Sequence, residues 1–141
     1  MTATARKEPR RVRRARRAAA FHNDRATRAT NPLQRLQVAE SALTAAAKHV
    51  RAREVRSVRD DIAGHVTDVL VLADAGGSRR RLYEQKLTAG GGEVQRLAAA
   101  LWCLRAALQL LSTTERDQYV AHYTGALDDE TRRLNAMRGG R

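Results

Sequence analysis

Cysteine and proline are scarce in this chain. Its 141 residues include one cysteine, Cys103, and two prolines, Pro9 and Pro32. One cysteine cannot form a disulfide within these residues or complete a zinc site built from several cysteines. Nothing in the sequence requires an oxidising compartment, so we expect a cytoplasmic protein. Both prolines stand near the starts of helix-like segments, where a helix tolerates them.

Aromatic residues and strand patterns are also rare. Phe, Trp and Tyr make up 4% of the chain, and the one β-rich stretch, VTDVLVLA (66–73), lies inside a longer helical pattern. We therefore predict an all-α fold, a helical bundle or long helical hairpin of about four to five helices. Alanine and leucine dominate the apolar residues, so the core buries little apolar surface per residue. We expect a second copy of the chain, or a helical protein partner, to complete part of it.

The chain has no long uninterrupted apolar run. Its most apolar stretch, LAAALWCLRAALQLL (97–111), contains Arg105 and is shorter than the ~20 residues needed to cross a bilayer. We therefore expect no membrane-spanning segment and no membrane partner. The amino terminus is rich in arginine and alanine, like a mitochondrial presequence, but it lacks the serines of that class.

Recognisable catalytic arrangements are missing from the sequence. It has no glycine-rich phosphate loop and no nucleophile elbow. None of the histidines, at positions 22, 49, 65 and 122, has a metal-ligand spacing to an acid or a cysteine. Neighbouring acids at 60–61 and 128–130 point about 100° apart on a helix, so we interpret them as solvent-facing charges. We expect no enzyme activity, no metal and no cofactor.

Positive charge is abundant and concentrated at one end. The net charge is +12; residues 1–35 contain 11 Lys and Arg against 2 acids, and residues 36–141 contain 16 against 13. We predict a flexible basic arm (1–30), a helical domain (31–137) and a loose carboxyl terminus (138–141). A basic arm on a nearly neutral body is typical of proteins that bind polyanions.

The arm contains the segment RRVRRARR (10–17), with six arginines in eight positions. If the arm forms a helix, most of its cationic residues share one face, within an arc of about 160°. These residues are Arg6, Lys7, Arg10, Arg11, Arg13, Arg14 and Arg17. Mutual repulsion predicts that the free arm is frayed and that it becomes ordered on a polyanion.

A second basic cluster, Arg79, Arg80 and Arg81, lies in SRRRLYEQ (78–85). Arginines in the first turn of a helix oppose its dipole, and a bound phosphate would reverse that penalty. Alternatively, these arginines pair with Asp74 or with the acids of LDDE (127–130).

The two basic clusters predict a small helical protein that binds DNA or RNA through the phosphate backbone, largely independently of base sequence. Such a chain suits an accessory role in a mobile element or a chromosome-maintenance system. A compositional explanation competes with this one, because only 3 of the 27 basic residues are lysine and arginine-biased coding can produce a solvated arm. The alternative function is a homo-oligomeric helical adaptor or assembly protein with no role for nucleic acid.

Local patterns predict where several helices begin and end. Asn31 is a predicted N-cap, with Pro32 at the first helical position. A first apolar stripe ends near residue 50, and a second stripe of different phase begins at Val55. The helix therefore either breaks near residues 51–54 or is continuous and packs against different neighbours along its length. In both cases the run of about 40 residues indicates an antiparallel hairpin or a coiled-coil dimer.

Four apolar residues are candidates for an interface. Leu36, Leu43 and Val50 recur at sevenfold spacing, and Trp102 lies off the main apolar stripe of its helix.

Two connections carry their own capping signals. Gly76 and Gly77 predict a left-handed cap at the end of the second stripe, and Ser78 is the predicted N-cap of the next helix. Ser112 and Glu115 match a capping box at the start of the last helix.

Overall fold

The fold is all-α, as the sequence predicts. A computed structural model describes residues 9–14, 31–88 and 90–139, with side chains described up to Met137. After a short helical segment at 10–14, five helices follow in these ranges. They are α1 (Pro32–Ala47), α2 (Ala52–Leu72), α3 (Gly77–Leu87), α4 (Glu93–Leu108) and α5 (Thr113–Gly139). No strand occurs in the described residues.

The long helices associate as two main pairs. α2 makes its most extensive contact with α4, α1 makes its most extensive contact with α5, and the short α3 packs on α4. α2 and α5 run antiparallel, because Ser57 lies against Arg133 while His65 lies against Tyr123. The core consists mainly of leucine, valine and alanine side chains. Alanines such as Ala39 and Ala100 are buried in it, and small side chains let helices approach closely.

The first helix begins as predicted and then breaks. Asn31 Oδ1 accepts a hydrogen bond from the Gln34 amide at 3.1 Å, and Pro32 is the first helical residue. α1 ends at Ala47 and α2 starts at Ala52, so the break between the two apolar stripes is confirmed. A break lets each stripe meet its own neighbours in the core, which a single straight helix could not do.

The connection between α2 and α3 differs from the prediction. The left-handed residue is Asp74, with φ of 51°, whereas Gly76 is extended and serves as the N-cap of α3. Ser78 is already inside the helix, so the predicted caps at Gly76 and Gly77 and at Ser78 are wrong. The turn closes when the Ala75 amide donates to the Leu70 carbonyl at 3.0 Å. Aspartate is one of the few residues other than glycine that tolerates the left-handed conformation.

One half of the predicted capping box is seen at the last helix, since Ser112 accepts from the Glu115 amide while the Glu115 side chain contacts the Ser112 hydroxyl in place of its amide. The Glu115 amide donates to Ser112 Oγ at 3.4 Å, and that hydroxyl lies 3.1 Å from Glu115 Oε1. α5 extends to Gly139, beyond residue 137 where the sequence pattern ends the helical domain.

The candidate interface residues occupy different environments. Leu36 and Leu43 are buried in the core of this single chain, and Val50 is half-buried against it. The sevenfold spacing of Leu36 and Leu43 thus serves packing inside the bundle, and the interface role stays a prediction. Trp102 is 45% exposed. None of the helices in the described ranges is both long and apolar enough to cross a bilayer.

Candidate nucleic-acid interface

The described part of the arm is an amphipathic helical segment, residues 9–14. The Arg13 amide donates to the Pro9 carbonyl at 3.1 Å, which closes one helical turn. Val12 is fully buried, whereas Arg10, Arg11, Arg13 and Arg14 are exposed. The segment therefore has one fully buried apolar side chain and four exposed cationic side chains. Arg6, Lys7 and Arg17, also predicted as binding residues, lie outside the described residues.

Segment 9–14 lies at an acidic cleft between α2 and α5. The cleft has a volume of about 480 Å³ and is lined by Arg11 and Arg14 together with several acids of the two helices. We call this feature the acidic cleft. Its acids are Asp60, Asp61, Asp68, Asp129 and Glu130. A guanidinium placed among carboxylates gains favourable electrostatic energy, so the cleft attracts the arginines of this segment.

The closest ion pair across the cleft joins Arg11 to Asp68. Arg11 Nη2 lies 3.6 Å from Asp68 Oδ1, and Asp68 is only 5% exposed. Burial raises the pKa of Asp68, although the charges of Arg11 and His65 oppose that rise. A buried carboxylate is costly unless a cation compensates for it, and Arg11 supplies that cation.

A glycine on α2 makes room for the same guanidinium. A Cβ atom at Gly64 would lie 3.0 Å from Arg11 Nη1, closer than most real contacts of a Cβ. The helix surface is therefore open at the point where the Arg11 side chain crosses it.

Two aromatic residues form the floor of the cleft. The His65 and Tyr123 rings are 5.1 Å apart, and burial lowers the pKa of His65. The neutral form of this histidine is therefore favoured near neutral pH. The His122 ring lies 4.7 Å from Tyr123 on the other side.

A carboxyl pair closes one end of the cleft. Glu130 of α5 faces Asp61 of α2, and Arg133 donates to both carboxyl groups at 3.2 Å. Arg133 also donates to Ser57 Oγ at 2.7 Å. Burial, with a smaller contribution from Asp61, raises the pKa of Glu130 to about 7, against the opposing influence of Arg133. One proton is therefore held at this pair under mildly acidic conditions.

The second predicted cluster lies on another helix. Arg79 and Arg81 are exposed and Arg80 is half-buried on α3, and Arg81 Nε donates to the Gly77 carbonyl at 3.5 Å. Within the described ranges these arginines form no ion pair with Asp74 or with residues 127–130. No hydrogen bond or ion pair joins α3 to segment 9–14 there either, so the structure does not bring the two basic clusters into contact.

Two other arginines of α2 pair with a glutamate of α4. Glu93 lies 3.4 Å from Arg56 and 3.7 Å from Arg59, and 3.7 Å from Arg96 of its own helix. The pairs with Arg56 and Arg59 join α2 to the start of α4.

The acidic cleft is the feature that the sequence analysis missed. Neighbouring acids do point apart on each helix, but Asp61 of one helix and Glu130 of the other converge across the α2–α5 contact. A local signal was present, because Asp61, His65 and Asp68 are spaced to share one face of α2. Among the described residues, no group of three or more His, Cys, Asp or Glu side chains is arranged to hold a metal ion.

Comparison with known proteins adds no functional assignment. No protein family, curated protein or solved structure matches this chain.

The substitution Glu130→Gln should stabilise the protein most at higher pH. Because the folded state holds its proton up to about pH 7 and an ordinary glutamate loses it near about pH 4.5, the free energy of unfolding falls as the pH rises through this window. Glutamine cannot ionise, so it removes the free-energy cost of ionising Glu130 in the folded state, which is at most about 3 kcal/mol. Its side chain can still accept a hydrogen bond from Arg133. Thermal melts of variant and parent between pH 5 and pH 8 measure the effect.

Asp129→Asn is the matched control, since Asp129 is an exposed neighbour that loses the same charge. The Tm difference between Glu130→Gln and the parent should grow with pH, and that of the control should stay nearly constant. Equal Tm differences at both ends of the range would contradict the assignment of the retained proton to Glu130.

Proposed function

We propose that this protein binds nucleic acid through the phosphate backbone, largely independently of base sequence, and that the basic arm makes the principal contact. The observation that carries the proposal is the amphipathic segment 9–14, in which buried Val12 fixes a helical turn whose arginines are exposed. Arg10 and Arg13 pair with no acid within the described residues, so they remain available to phosphate. The proposal includes a cytoplasmic location and no enzymatic activity.

The chemistry of arginine suits this ligand. A guanidinium group stays charged at all physiological pH values and can donate two parallel hydrogen bonds to one phosphate. Each neutralised phosphate releases condensed counterions, so the affinity depends strongly on salt. A role as an accessory protein of a mobile element or a chromosome-maintenance system fits binding of this kind.

Arg79, Arg80 and Arg81 are proposed as a separate, secondary contact. Cations near the start of α3 are unfavourably placed relative to its helix dipole. A phosphate bound there would pair with the exposed Arg79 and Arg81 and with the amides of the first turn.

The double variant Arg10→Ala, Arg13→Ala tests the principal contact. Fluorescence anisotropy with a short DNA duplex and an RNA duplex of equal length measures affinity between about 50 and about 200 mM salt. We expect weaker binding and a salt slope reduced by about 2, since each phosphate contact contributes about 0.9 to that slope. Both side chains are exposed, so the fold should be unaffected.

The double variant Arg35→Ala, Lys48→Ala is the control, because it removes two exposed cations, on α1 and directly after it, that lie outside the arm and form no ion pair with a described acid. It should retain most of the affinity. An equal loss in both variants would show that only net charge matters, and an intact chain that ignores both duplexes in dilute buffer would refute the proposal.

The exposed Trp102 favours a second candidate function, self-association as a helical assembly protein. Its ring is only partly covered by α3, with the Tyr83 ring centroid at 6.4 Å and Lys86 Nζ 4.5 Å from the ring centre. A partly covered tryptophan is a common anchor at protein interfaces.

For this candidate we expect Trp102→Ala to weaken self-association in sedimentation equilibrium, while Leu82→Ala, a change at another exposed apolar residue, does not. Monomeric parent protein at high concentration would rule out the second candidate and leave the first untouched.

A further inference from the structure

We propose that the acidic cleft is a docking site for the arginines of segment 9–14 and that it competes with nucleic acid for them. The inference rests on the proposed function, since it assigns a regulatory contact to the same arm. Asp68 supplies the charge that recognises Arg11. The other four acids of the cleft are each paired with an arginine of the bundle: Asp60 with Arg59, Asp129 with Arg132, and Asp61 and Glu130 with Arg133. The occupant is this chain's own segment.

The cleft is shaped for the segment as well as charged for it. Val12, which follows Arg11 in the segment, is fully buried, so an apolar side chain of the segment is removed from solvent as well. Gly64 leaves space for the Arg11 guanidinium, and nearly buried Asp68 pairs with it. An accidental approach of a charged arm to a surface would need neither the space at Gly64 nor a buried valine.

The four described arginines of the segment are divided between two environments. All four side chains are exposed, but only Arg11 and Arg14 line the acidic cleft. Arg10 and Arg13 can therefore meet a phosphate while the segment is still docked. Arg11 shares its charge with Asp68 in the docked arrangement, so its full contribution to nucleic-acid binding requires undocking.

Undocking also follows from the charge that the cleft presents. Asp68, whose ion-pair partner among the described residues is Arg11 alone, would repel a phosphate that approaches this guanidinium, which favours binding with the segment away from the bundle. The apparent dissociation constant is then the intrinsic constant divided by the fraction of molecules whose segment is free. Weakening the docking site should tighten nucleic-acid binding without any change in the arm.

The occupant of the acidic cleft is expected to be the chain's own segment 9–14, in preference to the same segment of a second copy. Residue 14 and residue 31 are joined by a short stretch of the same chain, so the effective concentration of the segment at its own cleft is in the millimolar range. A second copy would have to reach that concentration in free solution to compete.

Two variants of the cleft test the proposal in the full-length chain. Asp68→Asn removes the charge that faces Arg11 and keeps the side-chain shape, while Gly64→Leu fills the space beside Arg11 with a good helix former. Asp128→Asn is the control, since Asp128 is an exposed acid of α5 outside the acidic cleft. It makes the same change in net charge as Asp68→Asn.

Two readouts are compared. Amide hydrogen exchange of residues 10–14, without nucleic acid, reports docking and should be faster in both cleft variants than in the parent and the control. Anisotropy with a short DNA duplex reports competition, and we expect the cleft variants to bind on the order of fivefold more tightly than the control.

Each outcome decides a different part of the proposal. Unchanged exchange in both cleft variants would overturn docking, and faster exchange with equal duplex affinity would overturn competition. Exchange protection that rises with protein concentration would show a second copy's segment in the cleft and overturn the intramolecular contact. A parent chain and variants that all fail to bind the duplex, with faster exchange in the cleft variants, would refute the proposed function while leaving docking intact.

Discussion

The ion pair between Arg11 and the nearly buried carboxylate of Asp68 ties the cationic amino terminus to the helical bundle. Without Arg11, Asp68 would be a buried charge facing other acids, and without Asp68 the arm would have no specific electrostatic partner on the bundle. The neighbouring Val12 is fully buried. The position of segment 9–14 and the proposed competition both depend on the ion pair of Arg11 with Asp68.

The cleft concentrates like charges at some cost to the fold. Asp61 and Glu130 face each other across the α2–α5 contact, and burial keeps Glu130 protonated up to about pH 7. A bundle selected only for stability would place apolar residues at such a contact. The retained acids are consistent with a surface that recognises cations, and Arg133 and the arm supply the cations that make it tolerable.

Much of the helical framework could be predicted from local sequence. Asn31 and Pro32 define the start of α1, and the phase change before Val55 indicates the break before α2, because both signals depend only on neighbouring residues. The left-handed Asp74 was missed because the two adjacent glycines offered a stronger local signal, although the chain turns before it reaches them.

The candidate site was only half predictable. The one-sided arrangement of arginines in segment 9–14 follows from helical periodicity alone. Arg11 and Arg14 could therefore be identified as members of a cationic helix face without a structure. The cleft that receives them could not, because its acids come from two helices whose pairing is decided by the core. Leu36 shows the same limit, since sequence spacing does not distinguish a stripe that packs inside one chain from a stripe that joins two chains.

The burial of Val12 gives the most direct test of this account, and methyl NMR of the full-length chain without ligand can measure it. We predict Val12 methyl shifts away from random-coil values, with nuclear Overhauser contacts to protons of the bundle. Random-coil shifts with no such contacts would show that the segment does not dock, and the account of the cleft would be wrong.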